Sequence, residues 1–386
     1  MMTTTIPDKI KKYLHESLGH IGAIQDCALL DYPNHKNIGD HLIWLGNIFY
    51  LTDVLKTNIN YIASAGDFSD DIMGKQVGKS PILLHGGGNL GDIWASAQRF
   101  REYIISRYQD RRIIILPQSI YFRSQAKLEQ SAKVFNSHPN LTLFTRDNYS
   151  YELATKHFWN CQIFKAPDTA FQMVGMPGLS SQSGASNSIL FLSRTDKESN
   201  QLISPKALTI PNLVIEDWVA YHRQWSHEVE IKARLKKKFN WVLGQPESRV
   251  VAGLSQFHRE VWQRGVLTPR EWWHRQQWQL SHDYNTKFDH LYDPAKHRLS
   301  LSFMYSGMYQ LKQYRLVITN RLHGHILCIL LGIPHIFLPN SYYKNEGFYE
   351  TWTYEVPFCR FVKDVTHIKG ALEELDSLGK NTALFK

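Results

Sequence analysis

Short apolar runs recur along this chain. Nearly every one breaks off into glycine, asparagine or charged residues before a longer helix-like segment begins. "AIQDCALLDY" (23–32), "PILLHGGGN" (81–89), "RRIIILPQS" (111–119), "LTLFTRD" (141–147) and "CQIFKAPD" (161–168) read as strands, the third stopped by Pro117. Between them, 40–55, 92–108, 125–137 and 148–158 carry helical patterns, with Asp40 and Asp147 placed as N-caps. Strand and helix in alternation predict a parallel sheet covered by helices on both faces.

The chain is 386 residues long, which suits two domains better than one core. "GMPGLSSQSGASNS" (175–188) is rich in Gly and Ser, has no periodicity and reads as the linker. A second unit repeats the logic. A strand lies within 188–199 and another within 207–215, a mostly helical basic stretch runs from Glu216 to about Arg275, and strand 316–319, helix 323–332 and strand 334–338 close it. The expected fold class is α/β, with two facing Rossmann-like domains, each on a parallel sheet. The expected bounds are 1–180 and 181–365, with a helical tail over 366–386. Sheets of this kind bind ligands beyond the carboxyl ends of their strands, so facing sheets enclose a cleft.

Composition narrows the function. No apolar run reaches about 18 residues and the N-terminus lacks a signal-peptide pattern, so a cytoplasmic protein is expected. Cys27, Cys161, Cys328 and Cys359 stand singly with no CxxC pair, which predicts reduced buried thiols and no metal site. The formal net charge is +9, and residues 221–300 hold 14 Lys/Arg against 8 Asp/Glu together with 6 of the 11 tryptophans. Such a surface suits an anionic glycan, a peripheral membrane contact or nucleic acid, but no nucleic-acid motif accompanies it.

Polar groups gather at the strand exits. They are Asn37, Gly39 and Asp40 after the first run, Gly86, Gly87, Gly88 and Asn89 after 81–85, Gln118 and Ser119, then Arg146 and Asp147, and Asp168. In the second unit Ser193, Arg194 and Asp196 follow one strand, and Arg321 and His323 follow another. Three consecutive glycines let backbone approach a ligand, and the next helix would offer free N–H groups to an anion. Guanidinium forks beside an imidazole make an anion clamp with a proton shuttle. His325, inside an apolar helix face, reads as a packed core residue.

"NIGD", "HGGGNLGD", "LPQS", "TRD", "APDTAF", "SR.D" and "TNRLHGHILCILLGIPHI" occur in this order, over roughly residues 31 to 350. The set resembles the polysaccharide pyruvyltransferase family. The resemblance implies a glycosyltransferase-B-like pair of domains that moves pyruvate from phosphoenolpyruvate to two sugar hydroxyls as a ketal, releasing phosphate, with no metal or other cofactor. It implies a donor site at Arg194, Ser193, Arg321 and His323. On the acceptor side it implies Asn37, Gly39, Asp40, Gly86, Gly87, Gly88, Asn89, Gln118, Ser119 and Asp168. His323, Arg321 and Asp40 carry the implied catalysis. The partners it implies are a glycan or lipid-linked oligosaccharide, with peripheral contact at the inner membrane face and no nucleic acid. Two rival readings share the residues: a glycosyltransferase using a nucleotide sugar, and a non-catalytic glycan- or nucleic-acid-binding protein. The donor reading requires that the Arg321 guanidinium face the crevice and not be held by a buried acid.

Overall fold

Isoleucine, leucine, valine and phenylalanine fill the centres of the inner strands, at 82–84, 113–116, 189–192 and 316–318, as strands covered on both faces require. A computed structural model describes residues 5–179, 186–199, 205, 208–219, 269–284 and 286–380. Most of the basic segment, the expected 180/181 boundary and residues 381–386 of the tail lie outside the described residues.

The first sheet contains β1 (Asp26–Leu30), β2 (Asn58–Ala63), β3 (Ile82–Leu84), β4 (Gly87–Gly91), β5 (Ile113–Tyr121), β6 (Leu141–Thr145) and β7 (Gln162–Lys165). Its order is β2-β1-β3-β5-β6-β7, with β4 also on β5. The second contains β8 (Ser186–Leu192), β9 (Leu213–Glu216), β10 (Tyr314–Thr319), β11 (His335–Phe337) and β12 (Cys359–Phe361), in the order β12-β11-β10-β8-β9. Every strand pair is parallel. The helices are α1 (Ile6–Leu18), α2 (Ile38–Phe49), α3 (Asp70–Val77), α4 (Ala95–Arg107), α5 (Gln125–Ser137), α6 (Asn148–His157), α7 (Pro269–Ser281), α8 (Pro294–Leu311), α9 (Leu322–Leu331), α10 (Lys344–Phe348) and α11 (Ile368–Lys380). The architecture is thus the expected α/β pair of parallel sheets. Register aligns the exits: Leu30 pairs with Leu84, Leu84 with Ile115, and Leu192 with Thr319.

Three local expectations need correction. Asn37, not Asp40, caps α2: its Oδ1 accepts from Gly39 N at 3.3 Å, so the helix starts at Ile38 and Asp40 sits inside the first turn. Pro117 does not end its strand. The β5–β6 register shifts between Ile115 and Gln118, and that irregularity absorbs the residue that cannot donate. The glycine run is itself partly strand, since β4 pairs with β5 from Gly87 to Gly91.

Each half has an apolar cluster of its own, and a third joins them. The joining cluster runs from Leu14, Trp44 and Ile114 to Leu190, Val317 and Ile326. Helix α8, which leads into β10, lies on α2. Gly307 makes this possible, because a Cβ there would come within 2.8 Å of Ile38. Trp44 Nε1 donates to His297 Nδ1 at 3.1 Å, and His41 bonds Ser300 at 2.9 Å across the same contact. The crevice between the sheets therefore has a fixed floor.

Candidate active site

A cavity of about 610 Å³ opens where the carboxyl ends of the two sheets face each other. From the first sheet, Asp31, His35, Asn37 and Asp40 line it after β1, His85, Gly88 and Asn89 after β3, and Arg146 after β6. From the second come Arg194, Asp196 and Glu198 after β8, Asp217 after β9, Arg321 and His323 after β10, and Lys344 at the start of α10.

Because Asn37 performs the capping, Asp40 is left for other work. Its Oδ2 accepts from Asn37 Nδ2 at 2.7 Å and lies 3.4 Å from His35 Nε2. Burial pushes this carboxyl up, but His35, His323 and the Asn37 hydrogen bond outweigh it and hold Asp40 below the usual range. His85 is buried and lowered to about 4, mainly by desolvation, so it is neutral at physiological pH. Its Nδ1 meets Asn47 at 3.0 Å, while Nε2 has no hydrogen-bond partner among the described residues.

The glycine run does something other than cradle an anion on helix N–H groups, since α4 begins only at Ala95. A Cβ on Gly88 would lie 3.0 Å from Arg146 Nη2 and 3.3 Å from Lys344 Nζ. Gly88 thus lets one cation from each half of the molecule approach the same stretch of backbone. Gly39 plays a similar part, for a Cβ there would sit 2.4 Å from His323 Nδ1. Gly86 packs against the Pro117 carbonyl, and Gly87 takes φ +134 beside Asp40.

Asp168 lies behind the wall and organises it. Its Oδ2 is 2.5 Å from Arg146 Nη1 and 3.2 Å from His323 Nε2. Although burial opposes ionisation, His323 and Arg146 hold its carboxyl well below the normal range. Ser119 and Gln118 also stand back from the cavity. Ser119 Oγ accepts from Arg146 Nε at 3.0 Å and donates to Asp147 at 2.7 Å, while Gln118 donates to the His85 carbonyl at 2.9 Å. Asp147 is the expected cap of α6. Ser193 contributes its N–H to Glu216 O at 2.7 Å and does not line the cavity.

On the second sheet the cations are compensated. Arg194 meets Asp196 at 2.6 Å and Glu198 at 3.1 Å. Glu198 also receives Lys344 Nζ, and Trp94 Nε1 of the first half donates to it at 3.0 Å. Burial would raise Glu198, but Lys344 and Arg194 pull it down to about 2. Lys344 is lowered to about 8, chiefly by desolvation, with Glu198 opposing and Arg194 and Arg146 adding to the fall. Arg321 departs from expectation. Its Nε and Nη2 donate to the two Asp217 oxygens at 2.5 and 2.6 Å, so the fork expected to grip a ligand holds a buried acid. It lines the cavity, yet its two-point face is committed, so the condition set on Arg321 fails: the donor reading cannot rest on this residue, and a donor has to be met by the other cations of the cavity.

The structure thus brings Asn37, Asp40, Gly88, Asn89, Arg194, Arg321 and His323 to one cavity. It sets Gly39, Gly86, Gly87, Gln118, Ser119, Asp168 and Ser193 behind it. Sequence reasoning gave no role to His35, His85, Glu198, Asp217 or Lys344, and left Arg146 as a residue at a strand exit without a task. His85 carried a signal, as it precedes the glycine run directly. Lys344 and Asp217 carried none.

The polysaccharide pyruvyl transferase family profile matches residues 37–342, which takes in strands of both sheets and most of the cavity lining, with Asp31, His35 and Lys344 just outside it. The chain belongs to that family. EpsO of Bacillus subtilis (strain 168), a protein named as a candidate pyruvyl transferase, is 28% identical over 358 residues, covering 92% of this chain and 94% of the relative. Pyruvyl transferase 1 of Schizosaccharomyces pombe (strain 972 / ATCC 24843) is 27% identical over 341 residues, covering 86% of this chain and 71% of the relative. A crystal structure of an uncharacterised Klebsiella pneumoniae protein superposes with a TM-score of 0.54 at 18% identity, covering 94% of this chain and 100% of that one. That likeness shows the fold, in keeping with a glycosyltransferase-B-like arrangement. This pyruvyl transferase is an enzyme acting on a polysaccharide acceptor. No helix among its described residues is long and apolar enough to cross a membrane.

Proposed function

We propose that the donor is phosphoenolpyruvate and that the product is a cyclic ketal joining pyruvate to two hydroxyls of one sugar, with phosphate released. The observation that carries this reading is the meeting of Arg146 and Lys344 at Gly88, in a cavity that Arg194 and His323 also line. The donor bears a carboxylate and a phosphate on one carbon, and two guanidinium groups with an ammonium match that charge. Each cation already holds an internal carboxylate, so the donor binds by exchange: its oxygens replace those of Glu198 on Arg194 and Lys344.

A proton delivered to the donor's methylene carbon makes the adjacent carbon electrophilic, with oxocarbenium character. One sugar hydroxyl attacks that carbon. The C–O bond to phosphate breaks, and the neighbouring hydroxyl closes the ring. Of the two hydroxyl protons, one balances that added to the methylene carbon and the other leaves on phosphate. His323, oriented by Asp168, supplies the first proton. Asp40, ionised and reachable from the cavity, takes the proton of the attacking hydroxyl. His85 Nε2 and Asn89 offer polar contacts to the acceptor from the same wall. Arg321, locked to Asp217, fixes the start of α9 and so the position of His323. Side chains meet all the donor's charge, and no step runs through a metal or organic cofactor. The glycan lies on the first-sheet side, and its chain end or lipid carrier allows peripheral contact with a membrane.

Incubation with phosphoenolpyruvate and a panel of pyranose glycans tests this. The expected result is phosphate release matched by an acid-labile mass gain on the glycan. No release with any acceptor, together with tight binding of uridine diphosphate, would replace the proposal with a nucleotide-sugar transferase.

A further inference from the structure

Helix α9 turns His323 to the cavity and His325, two residues on, into the core of the second half. His325 is fully buried, its ring stacked on Phe337 at a centroid distance of 4.1 Å and an interplanar angle of 3°. Its Nδ1 lies 2.7 Å from His335 Nε2 and 3.7 Å from Cys359 Sγ. The candidate ligand atoms of the three residues all fall within 4.8 Å of one another. The residues come from α9, β11 and β12, which is why no spacing motif announced them.

Each imidazole uses its other nitrogen to fix its orientation. His335 Nδ1 meets the Ile333 carbonyl at 2.8 Å, and His325 Nε2 meets Thr353 Oγ1 at 2.9 Å. That is the outer-shell arrangement of metal-bound histidine. Cys328 follows His325 by three residues, a spacing that shares a helix face, and its thiol is buried.

We propose that His325, His335 and Cys359 form a structural zinc site that ties α9 to the far edge of the second sheet, with Cys328, on the same face of α9 as His325, drawn in as the fourth ligand when the ion binds. Two imidazoles and two sulfurs are a closed tetrahedral set for this ion. On binding, each thiol loses its proton to solvent, and two thiolates cancel the dipositive charge, so the apolar core receives no net charge. The 2.7 Å separation of the two nitrogens is that of a hydrogen bond. Zinc–nitrogen bonds of about 2.0–2.1 Å in tetrahedral geometry would set them roughly 3.3 Å apart, a shift of well under an ångström. A hydrogen-bonded chain from Thr353 through His325 and His335 to Ile333 satisfies the nitrogens without metal. It gives no reason for the Cys359 thiol beside them. The inference is independent of the donor assignment, because none of these four residues lines the cavity.

Elemental analysis of the full chain from zinc-supplemented culture, after gel filtration in chelator, is expected to give about one zinc per chain. Exchange with Co²⁺ should produce thiolate-to-cobalt charge-transfer absorption, lost in Cys359→Ser and weakened in Cys328→Ser. Should the variants fail to fold, a mercurial thiol reagent added to the wild-type protein should release zinc in step with thiol blocking. Metal-free protein that gives no charge-transfer band with Co²⁺, or zinc that survives Cys359→Ser or thiol blocking, would overturn the site.

Discussion

The two walls of the cavity balance charge in opposite ways. On the first sheet the acids are served: Asp40 is held ionised by His35 and His323 with the Asn37 hydrogen bond, and Asp168 by His323 and Arg146. On the second sheet the cations are served, with Arg321 on Asp217 and Arg194 and Lys344 on Glu198. A wall of ionised acids among imidazoles handles protons. A wall of cations pinned by acids exchanges one anion for another. The contrast explains why a cavity rich in arginine is stable before any ligand arrives: each buried guanidinium has its own carboxylate. It also explains why a donor needs several anionic oxygens to displace them.

Substitutions on each wall should separate these roles. The largest effect is expected from Asp40→Asn, which removes the proton acceptor and keeps the shape. Turnover should fall roughly 10²- to 10⁴-fold with donor KM nearly unchanged, read by steady-state phosphate release. A parallel loss in KM would place Asp40 on the donor instead. Next comes Asp217→Ala, which strands a buried guanidinium. Denaturant unfolding should show a loss of about 3–5 kcal/mol, whereas the exposed pair Lys79–Asp110 should contribute little.

A smaller and more selective effect follows from Lys344→Met. Donor KM should rise on the order of 10- to 100-fold, from about 1.5–3 kcal/mol of charge-assisted contact, while Glu198 keeps Arg194 and Trp94 and stability holds. The gentlest test is pH. Lys344 is lowered to about 8, so its ammonium is present below that value and lost above it. Donor KM should therefore climb by at most about tenfold per unit above pH 8. Stability moves the other way: the unfolded chain holds this proton up to its ordinary, higher pKa, so the group's contribution improves as pH rises through the window between the two values. In Lys344→Met both trends attributable to this residue should vanish.

The strand exits were legible because a buried parallel strand is a continuous apolar run, and the chain must turn polar or flexible where that strand leaves the sheet. The run ending at Thr319 placed Arg321 and His323 at the crevice directly. What that run lacked was the partner. Asp217 stands 104 residues away, and a lone acid after a strand says nothing about which cation it meets. Asp40 was misplaced by a one-turn ambiguity, since Asn37 is an equally good cap and the structure chooses it. Pro117 misled because a proline usually ends a strand, and only the register shift beside it shows otherwise. The glycine run was seen, but its purpose required three-dimensional neighbours: Gly88 is small so that Arg146 and Lys344, 198 residues apart in sequence, can both reach its backbone. The buried trio His325, His335 and Cys359 was hidden for the same reason, being assembled from three elements.

Diffraction from crystals soaked in phosphoenolpyruvate tests the shared donor site most directly. The expected result is donor oxygens within hydrogen-bonding distance of Arg146, Arg194 and Lys344, with Glu198 turned off the last two. Donor found outside this cavity, or inside it with Glu198 still on both cations, would contradict the exchange of carboxylate for donor on which the proposed chemistry rests.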